Sequence, residues 1–321
     1  MRFIPVIALL FGSWLALPAV AAEAQDWLRR LADAGRSQSF QGTFVYERNG
    51  SFSTHRIWHR VGEAGAVRER LLQLDGAEQE VLRVDGSTQC VSDTLADQLD
   101  DPQAWSVHDL NSQRLLESYE LRVIGKSRVA GRAAVVLALS PRDQHRYGVE
   151  LHLDQESALP LKSLLLNDKG QLLERFQFTQ LDVGVPPTDQ ELQSGAGCQP
   201  VAASEAAAEV VEAWRSDWLP PGFTLTRVAE RRSPASDEQV ASLVYFDGLA
   251  RFSVFVEPLR GAMVADARSQ LGPTAAVSRR LATADGDVMV TVVGEIPLGT
   301  AERVALSMRA IEDAIEGQAI Q

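Results

Sequence analysis

Beyond the first two dozen residues, the apolar positions keep two different rhythms. Trp27, Leu28, Leu31 and Ala34 recur at spacings of three and four, which predicts a helix over 24–35 that stops at Gly35. From there the period drops to two. Residues 44–48 lead into Asn49-Gly50, the strongest short hairpin signal, and 51–60 return as the second strand. Asp75-Gly76 and Asp85-Gly86 separate further strands over 68–74, 79–84 and 87–91. Such pairs supply the positive φ that a two-residue turn requires. A polar insertion with some helical character spans 94–118. Residues 133–139 are apolar on both faces and predict a central strand covered on both sides. Tyr147, Val149, Leu151 and Leu153 alternate with polar neighbours, as a half-buried strand does. Strands over 161–166 and 172–181 flank the turn at Asp168-Lys169-Gly170. About nine or ten antiparallel strands result, and a sheet of that width curls into a barrel or an open half-barrel.

The β pattern lapses over 184–210, a stretch with Gly-Val-Pro-Pro, Gly195-Ala196-Gly197 and an Ala- and Glu-rich run. Its composition predicts a linker. A second unit over 211–317 carries strands at 223–231, 239–246, 250–257, 275–281 and 288–294. A helix over 301–316 closes it, with Thr300 as N-cap, Val304, Met308, Ile311 and Ile315 as its apolar stripe, and Gly317 as its end. The class is therefore α+β, a large antiparallel half-barrel followed by a smaller antiparallel sheet-and-helix domain. The large domain is placed at 23–183.

Residues 1–22 have their own pattern. Arg2 precedes an apolar stretch from Phe3 to Leu17, Pro18 breaks it, and Ala19-Val20-Ala21-Ala22 follows. This is the layout of a cleaved secretory signal, with cutting after Ala21 or Ala22. The stretch is short of the ~20 residues a membrane span needs, which disfavours an uncleaved anchor. Removal of 22 residues from 321 leaves 299, and the expected compartment is the periplasm.

Charge changes the picture more than composition does. The chain holds 31 basic and 43 acidic residues, a formal charge of −12. That balance opposes nucleic acid and bare anionic lipid surfaces as partners. Residues 23–210 carry net −9 and residues 211–307 net −2, so the second unit repels an acidic partner less. Two cysteines, Cys90 and Cys198, exclude a disulfide-dense scaffold. In an oxidising compartment a structural disulfide between them is favoured over two free thiols, with a redox sensor as a third reading.

The chemistry is sparse. Nucleophile elbows, Ser-x-x-Lys, His-Glu-x-x-His, phosphate-binding glycine loops, dinucleotide fingerprints and Cys-x-x-Cys do not occur in the sequence. No catalytic residue, cofactor or metal is therefore assigned. His55 and His59 share a strand face but lie about 13 Å apart along it, too far for one ion. The cluster Arg227, Arg231 and Arg232 has two readings, a solvated strand edge or a docking site for an acidic peptide. A wide curved sheet offers an apolar concave face for a lipid-sized ligand, with Phe44, Tyr46, Trp58, Leu72, Leu151, Leu165 and Phe176 as candidate lining. Core packing against the first helix is the competing reading of the same residues.

Phe40-Gln41-Gly42-Thr43-Phe44-Val45-Tyr46, followed by His55-Arg56-Ile57-Trp58-His59-Arg60, resembles the start of the MucB/RseB family. Val81-Leu82-Arg83-Val84-Asp85-Gly86 and Pro141-Arg142-Asp143-Gln144-His145-Arg146-Tyr147-Gly148 fit it too. So do Trp218-Leu219-Pro220-Pro221-Gly222-Phe223 and Asp247-Gly248-Leu249-Ala250-Arg251-Phe252-Ser253-Val254-Phe255. The likeness spans both domains and is closest to the alginate-regulating branch. It implies a periplasmic negative regulator that binds the periplasmic domain of an anti-sigma factor, MucA or RseA, and shields it from the first protease cut. It also implies a large domain resembling the lipoprotein carriers LolA and LolB, and release by a lipid or lipopolysaccharide. A homo-oligomer is compatible with the resemblance, and the pattern fixes no number. The partner is expected on the second domain around Phe223, Arg227, Arg231, Arg232 and Tyr245. The other classes are a lipid or lipoprotein carrier using the same cavity and, more remotely, a hydrolase with a distributed site.

Overall fold

The computed structural model describes residues 17–63, 65–77, 79–92, 112–201, 213–232, 239–261 and 263–311. The expected leader and the Ala-rich end of the linker fall largely outside them. The first helix, α1 (Leu17–Ser37), buries Ala24, Leu28, Leu31 and Ala34 along one stripe, as the spacing requires.

Next come β1 (Phe40–Arg48), β2 (Ser51–Val61), β3 (Val67–Gln73), β4 (Glu80–Val84) and β5 (Ser87–Ser92). A short helix, α2 (Ser112–Ser118), leads to β6 (Tyr119–Val129), β7 (Arg132–Pro141), β8 (Gly148–Asp154), β9 (Pro160–Leu166) and β10 (Leu172–Val183). With β11 (Cys198–Pro200) these make one eleven-stranded sheet, in the order β11-β5-β4-β3-β2-β1-β10-β9-β8-β7-β6. Every neighbouring pair is antiparallel. Asn49 and Gly50 both take positive φ, 55° and 73°, in the β1–β2 turn. The apolar run on β7 is buried on both faces, one strand in from the edge rather than at the centre. Side chains from α1, β1 and β6–β10 join one hydrophobic cluster. An open sheet that brings strands so far apart in its order onto one helix is curved.

The smaller sheet is built from β13 (Thr224–Arg232), β14 (Gln239–Phe246), β15 (Arg251–Pro258), β16 (Ala267–Leu271), β17 (Thr274–Thr283) and β18 (Gly286–Gly294), in the order β13-β14-β15-β18-β17-β16. Helix α3 (Leu298–Ser307) covers one face. It is shorter than the sequence predicts and starts earlier. Pro297 is the N-cap, whereas Thr300 lies inside the helix and is buried. At Met308 the backbone turns extended, and β19 (Met308–Ala310) pairs with β12 (Trp214–Ser216). The Ser307 hydroxyl donates to Val304 O at 2.8 Å, with Trp218 O 3.1 Å away. Ile315 and Gly317 lie outside the described residues.

The domains meet through a buried ionic joint. Arg146, on the β7–β8 loop, donates to Asp247 Oδ2 at 2.5 Å, and neither side chain has exposed surface. Arg146 also pairs with Asp143 at 3.0 Å and donates to Pro221 O at 2.5 Å. Tyr119 OH donates to the same Asp247 oxygen at 3.2 Å. Asp247 in addition accepts from the amides of Leu249 and Ala250, so one carboxylate holds a turn and a domain together. Tyr147 OH donates to Ile296 O at 3.2 Å. A second contact lies at the β1–β2 turn, where Arg48 reaches Glu295 at 3.0 Å and also bonds Thr274.

Candidate functional site

The curved sheet and α1 enclose an apolar hollow of about 80 Å³. Leu31 and Gly35 of α1 form one side. Phe40 and Phe44 of β1 and Phe176 and Phe178 of β10 form the aromatic wall. The rings touch edge-on or tilted, at centroid distances of 4.7 Å for Phe44–Phe176 and 5.0 Å for Phe176–Phe178. Three polar side chains from β2–β4 interrupt the lining: His59, Glu69 and Arg83. His59 stacks on Phe40 with centroids 4.6 Å apart, and its Nδ1 lies 2.8 Å from Glu69. The arrangement suits a ligand with an apolar body and a polar end. An acyl chain needs more room than 80 Å³, since small-molecule pockets run to ~300–1,000 Å³. Entry of such a chain requires α1 or the phenylalanine rings to move apart.

The seven lining candidates separate by face. Phe44 and Phe176 line the hollow. Leu151 belongs to the core cluster around it, and Tyr46 and Leu165 pack against that cluster. Trp58 and Leu72 lie on the opposite face. Register explains this: Phe44 stands opposite His55 and Ile57 opposite Leu71, so even positions of β1 share a face with odd positions of β2 and β3.

On that outer face the expected linker is a strap. Residues 184–201 run across β2–β5. Arg60 binds Asp189 at 2.7 Å and Pro187 O at 3.2 Å. Arg70 donates to Glu191 O at 3.0 Å and pairs with Glu80 at 2.5 Å. The other oxygen of Glu80 accepts from the Gly195 amide, and Leu192 is fully buried. Cys198 is joined to Cys90 by a disulfide across 108 residues, with Cα atoms 5.5 Å apart. Trp58 lies under the strap between the guanidinium groups of Arg56 and Arg70, each 4.9 Å from its ring.

The partner candidates divide in the same way. Phe223 and Tyr245 are buried in the small-domain core, stacked around Phe252 at 5.1 and 5.0 Å, and present no docking surface. Arg227 is exposed on β13. Arg231 and Arg232 continue that strand, and their side chains lie outside the described ones.

Two polar clusters went unrecognised in the sequence. The first is the joint at Arg146 and Asp247. Its residues sit in quoted motifs, but Asp247 reads locally as a turn residue. The second is a hydrogen-bonded chain on the outer face. Ser127 Oγ lies 2.6 Å from His152 Nδ1, and His152 Nε2 lies 2.8 Å from Glu150. Those lengths match a hydrolase triad, but Ser127 and His152 line neither described cavity. Burial holds the His152 ring below its ordinary pKa, and it does the same to His55. Desolvation pushes Glu174 upward, with Glu295 adding to the shift. His55 hydrogen-bonds Ser53 at 2.8 Å while His59 is held by Glu69, so the two rings serve separate partners. Among the described residues no group of three side chains has metal-ligand geometry, and no helix is long and apolar enough to cross a membrane.

A wider cleft of about 850 Å³ opens between the domains, lined by the β7–β8 loop and the start of α3. His145 and Thr300 meet across it at 3.1 Å.

Two antiparallel sheets, one wrapped around an apolar hollow and clamped to the other by a buried ion pair, define a two-domain scaffold of nearly pure β type. The chain belongs to the MucB/RseB family: the model of its N-terminal domain matches residues 23–196 and that of its C-terminal domain residues 208–309. It is 68% identical to the sigma factor AlgU regulatory protein MucB of Pseudomonas aeruginosa, over 94% of this chain and 96% of that one. The sigma-E factor regulatory protein RseB of Haemophilus influenzae is 24% identical, over 96% and 99%. Among solved structures, the P. aeruginosa MucA/MucB complex superposes with a TM-score of 0.81 at 68% identity, covering 90% of this chain and 99% of that one. A crystal structure of MucB superposes with a TM-score of 0.70 at 66% identity, covering 90% and 98%.

Proposed function

We propose that this protein is a periplasmic sigma-factor regulator that binds the periplasmic domain of a MucA-type anti-sigma factor. The observation that carries this is the 68% identity to MucB along nearly the whole of both chains, together with the solved complex of MucB with MucA. In this reading, residues 1–22 direct export, 23–183 sense a lipid, and 211–317 supply most of the partner contact. Binding shields the anti-sigma factor from its first proteolytic cut. A lipid or lipopolysaccharide entering beside Phe44 and Phe176 forces α1 outward and releases the partner. Buried His59, with half-buried Glu69 and Arg83 beside it, supports a ligand with a polar end.

The test uses the mature chain with the periplasmic domain of P. aeruginosa MucA and the protease that makes the first cut. A complex that slows cleavage by about tenfold or more, and that lipopolysaccharide dissolves, is the expected result. Absence of a complex overturns the reading. Lipid retention without any complex would instead favour a carrier, the alternative that the apolar hollow supports.

A further inference from the structure

The domains meet a second time at the end of the concave wall. Tyr46 and Arg48 follow Phe44 on one face of β1, and Glu174 precedes Phe176 on the same face of β10, directly opposite Arg48. The Arg48 guanidinium lies 3.6 Å from Glu174 and 3.0 Å from Glu295, the residue after β18 in the small domain. One cation is thus shared by two carboxylates, one from each domain. The Glu174 side chain is largely buried, whereas that of Glu295 is nearly half exposed. Beside them the β1–β2 turn lies on the β16–β17 turn, so closely that a methyl group at Gly272 would collide with the Asn49 side chain. The other groups facing the cluster are few. Tyr46 accepts from Arg48 at 3.3 Å and bonds Glu174. β2 places Ser53 opposite Tyr46, with the His55 ring 6.5 Å from the phenol ring. β9 offers Leu165 opposite Glu174. Tyr147, on the β7–β8 loop, is within electrostatic reach of Glu295 and Asp168.

We propose that this contact is a proton-operated latch between the domains, with Glu174 as its switch. Neutral Glu174 leaves Arg48 wholly to Glu295, and the contact closes. Ionised Glu174 sets a second negative charge beside Glu295, and the contact loosens, since like charges sharing one site disfavour each other's ionisation. The electrostatics run the same way. Burial and then Glu295 push the Glu174 carboxyl above its ordinary 4.5, against the pull of Tyr46 and Arg48. Tyr46 itself stays protonated, pushed up by burial and by Glu174, and burial holds His55 below its ordinary value. Opening the contact removes Glu295 and readmits water, so Glu174 binds its proton less tightly when open. Closing therefore takes up a proton. The contribution of Glu174 to closure is complete below its ordinary 4.5 and is lost as pH rises through the raised value. It concerns this contact alone, not the stability of either sheet, and it stands apart from the anti-sigma reading.

The experiment follows the glutamate carboxyl carbons of the isotope-labelled mature chain by NMR as pH is varied. Glu174 should titrate above 4.5. Glu295→Gln removes the facing charge and Gly272→Ala pries the turns apart, so each should lower the Glu174 midpoint. The nuclear Overhauser contact between Asn49 and Gly272 should weaken about twofold or more from about pH 5 to about pH 8. Glu174→Gln, which fixes the neutral form, should hold that contact at full strength at both ends. Unfolding midpoints equal to wild type show that the variants fold, and Glu295→Gln decides alone if Gly272→Ala does not. A Glu174 midpoint that Glu295→Gln leaves unmoved overturns the latch. So does an Asn49–Gly272 contact that keeps its strength across the range in the wild type, or one that still weakens in Glu174→Gln.

Discussion

The two sheets share an antiparallel design and differ in how they fill their covered faces. The small sheet packs valine on valine beneath α3, with Val254, Val277, Val290, Val292 and Val304 fully buried. β-Branched side chains are stiff and fit the pleat closely, so little space remains. The large sheet covers α1 with leucine and phenylalanine, and four rings at angles to one another leave a void. One covered face is thus closely filled, and the other keeps a hollow of about 80 Å³. The same contrast runs through charge, since net −9 lies on 23–210 and net −2 on 211–307.

The largest effect is expected where the two regions join. Arg146→Ala leaves Asp247 buried without its cation, and breaking such a pair costs about 3–5 kcal/mol. Denaturant unfolding of the variant should separate into two transitions, one for each sheet. A single transition at the wild-type midpoint would mean the joint does not couple them.

A pair of substitutions tests the packing contrast directly. Leu71→Phe adds volume to the wall of the hollow and should change stability by less than about 1 kcal/mol. Val254→Phe adds similar bulk under α3 and should destabilise by about 1–3 kcal/mol. Equal losses in urea melts would erase the distinction between the two cores.

Acid should separate the domains more gently. All five histidines lie within 23–183. Burial lowers the pKa of His55 and His152 in the folded state, below the ordinary 6.5. The unfolded chain therefore binds more protons below that value. Stability is complete above about pH 6.5 and is lost as pH falls through the folded pKa values. Amide exchange near pH 5 should show the large sheet opening sooner than at pH 7.5, with the small sheet nearly unchanged, and His152→Gln should flatten the response.

Much of the fold was legible because turns and alternation are local. Asn49-Gly50 and Asp85-Gly86 marked hairpins that form where expected, and Trp27, Leu28 and Leu31 marked α1. β16 went unseen because all five of its residues are exposed, so no apolar alternation betrays it. α3 ended early because its limit is set by Ser307 and by pairing of β19 with β12, a partner some ninety residues away. Trp58 and Leu72 were placed on the wrong face because which parity points inward depends on pairing between strands. Arg146 and Asp247 were visible as letters, but their meeting is a tertiary event.

The strap also sets where force travels. After Val183 the chain leaves the middle of the large sheet, crosses its back and is moored at Cys198 to Cys90, beside the edge strand. A pull on the small domain from a tethered partner therefore loads β5 and the disulfide in shear. Along the covalent path, tension is taken up at the disulfide before it reaches β10. Reduction of that one bond would pass the same load along the strap to the end of β10.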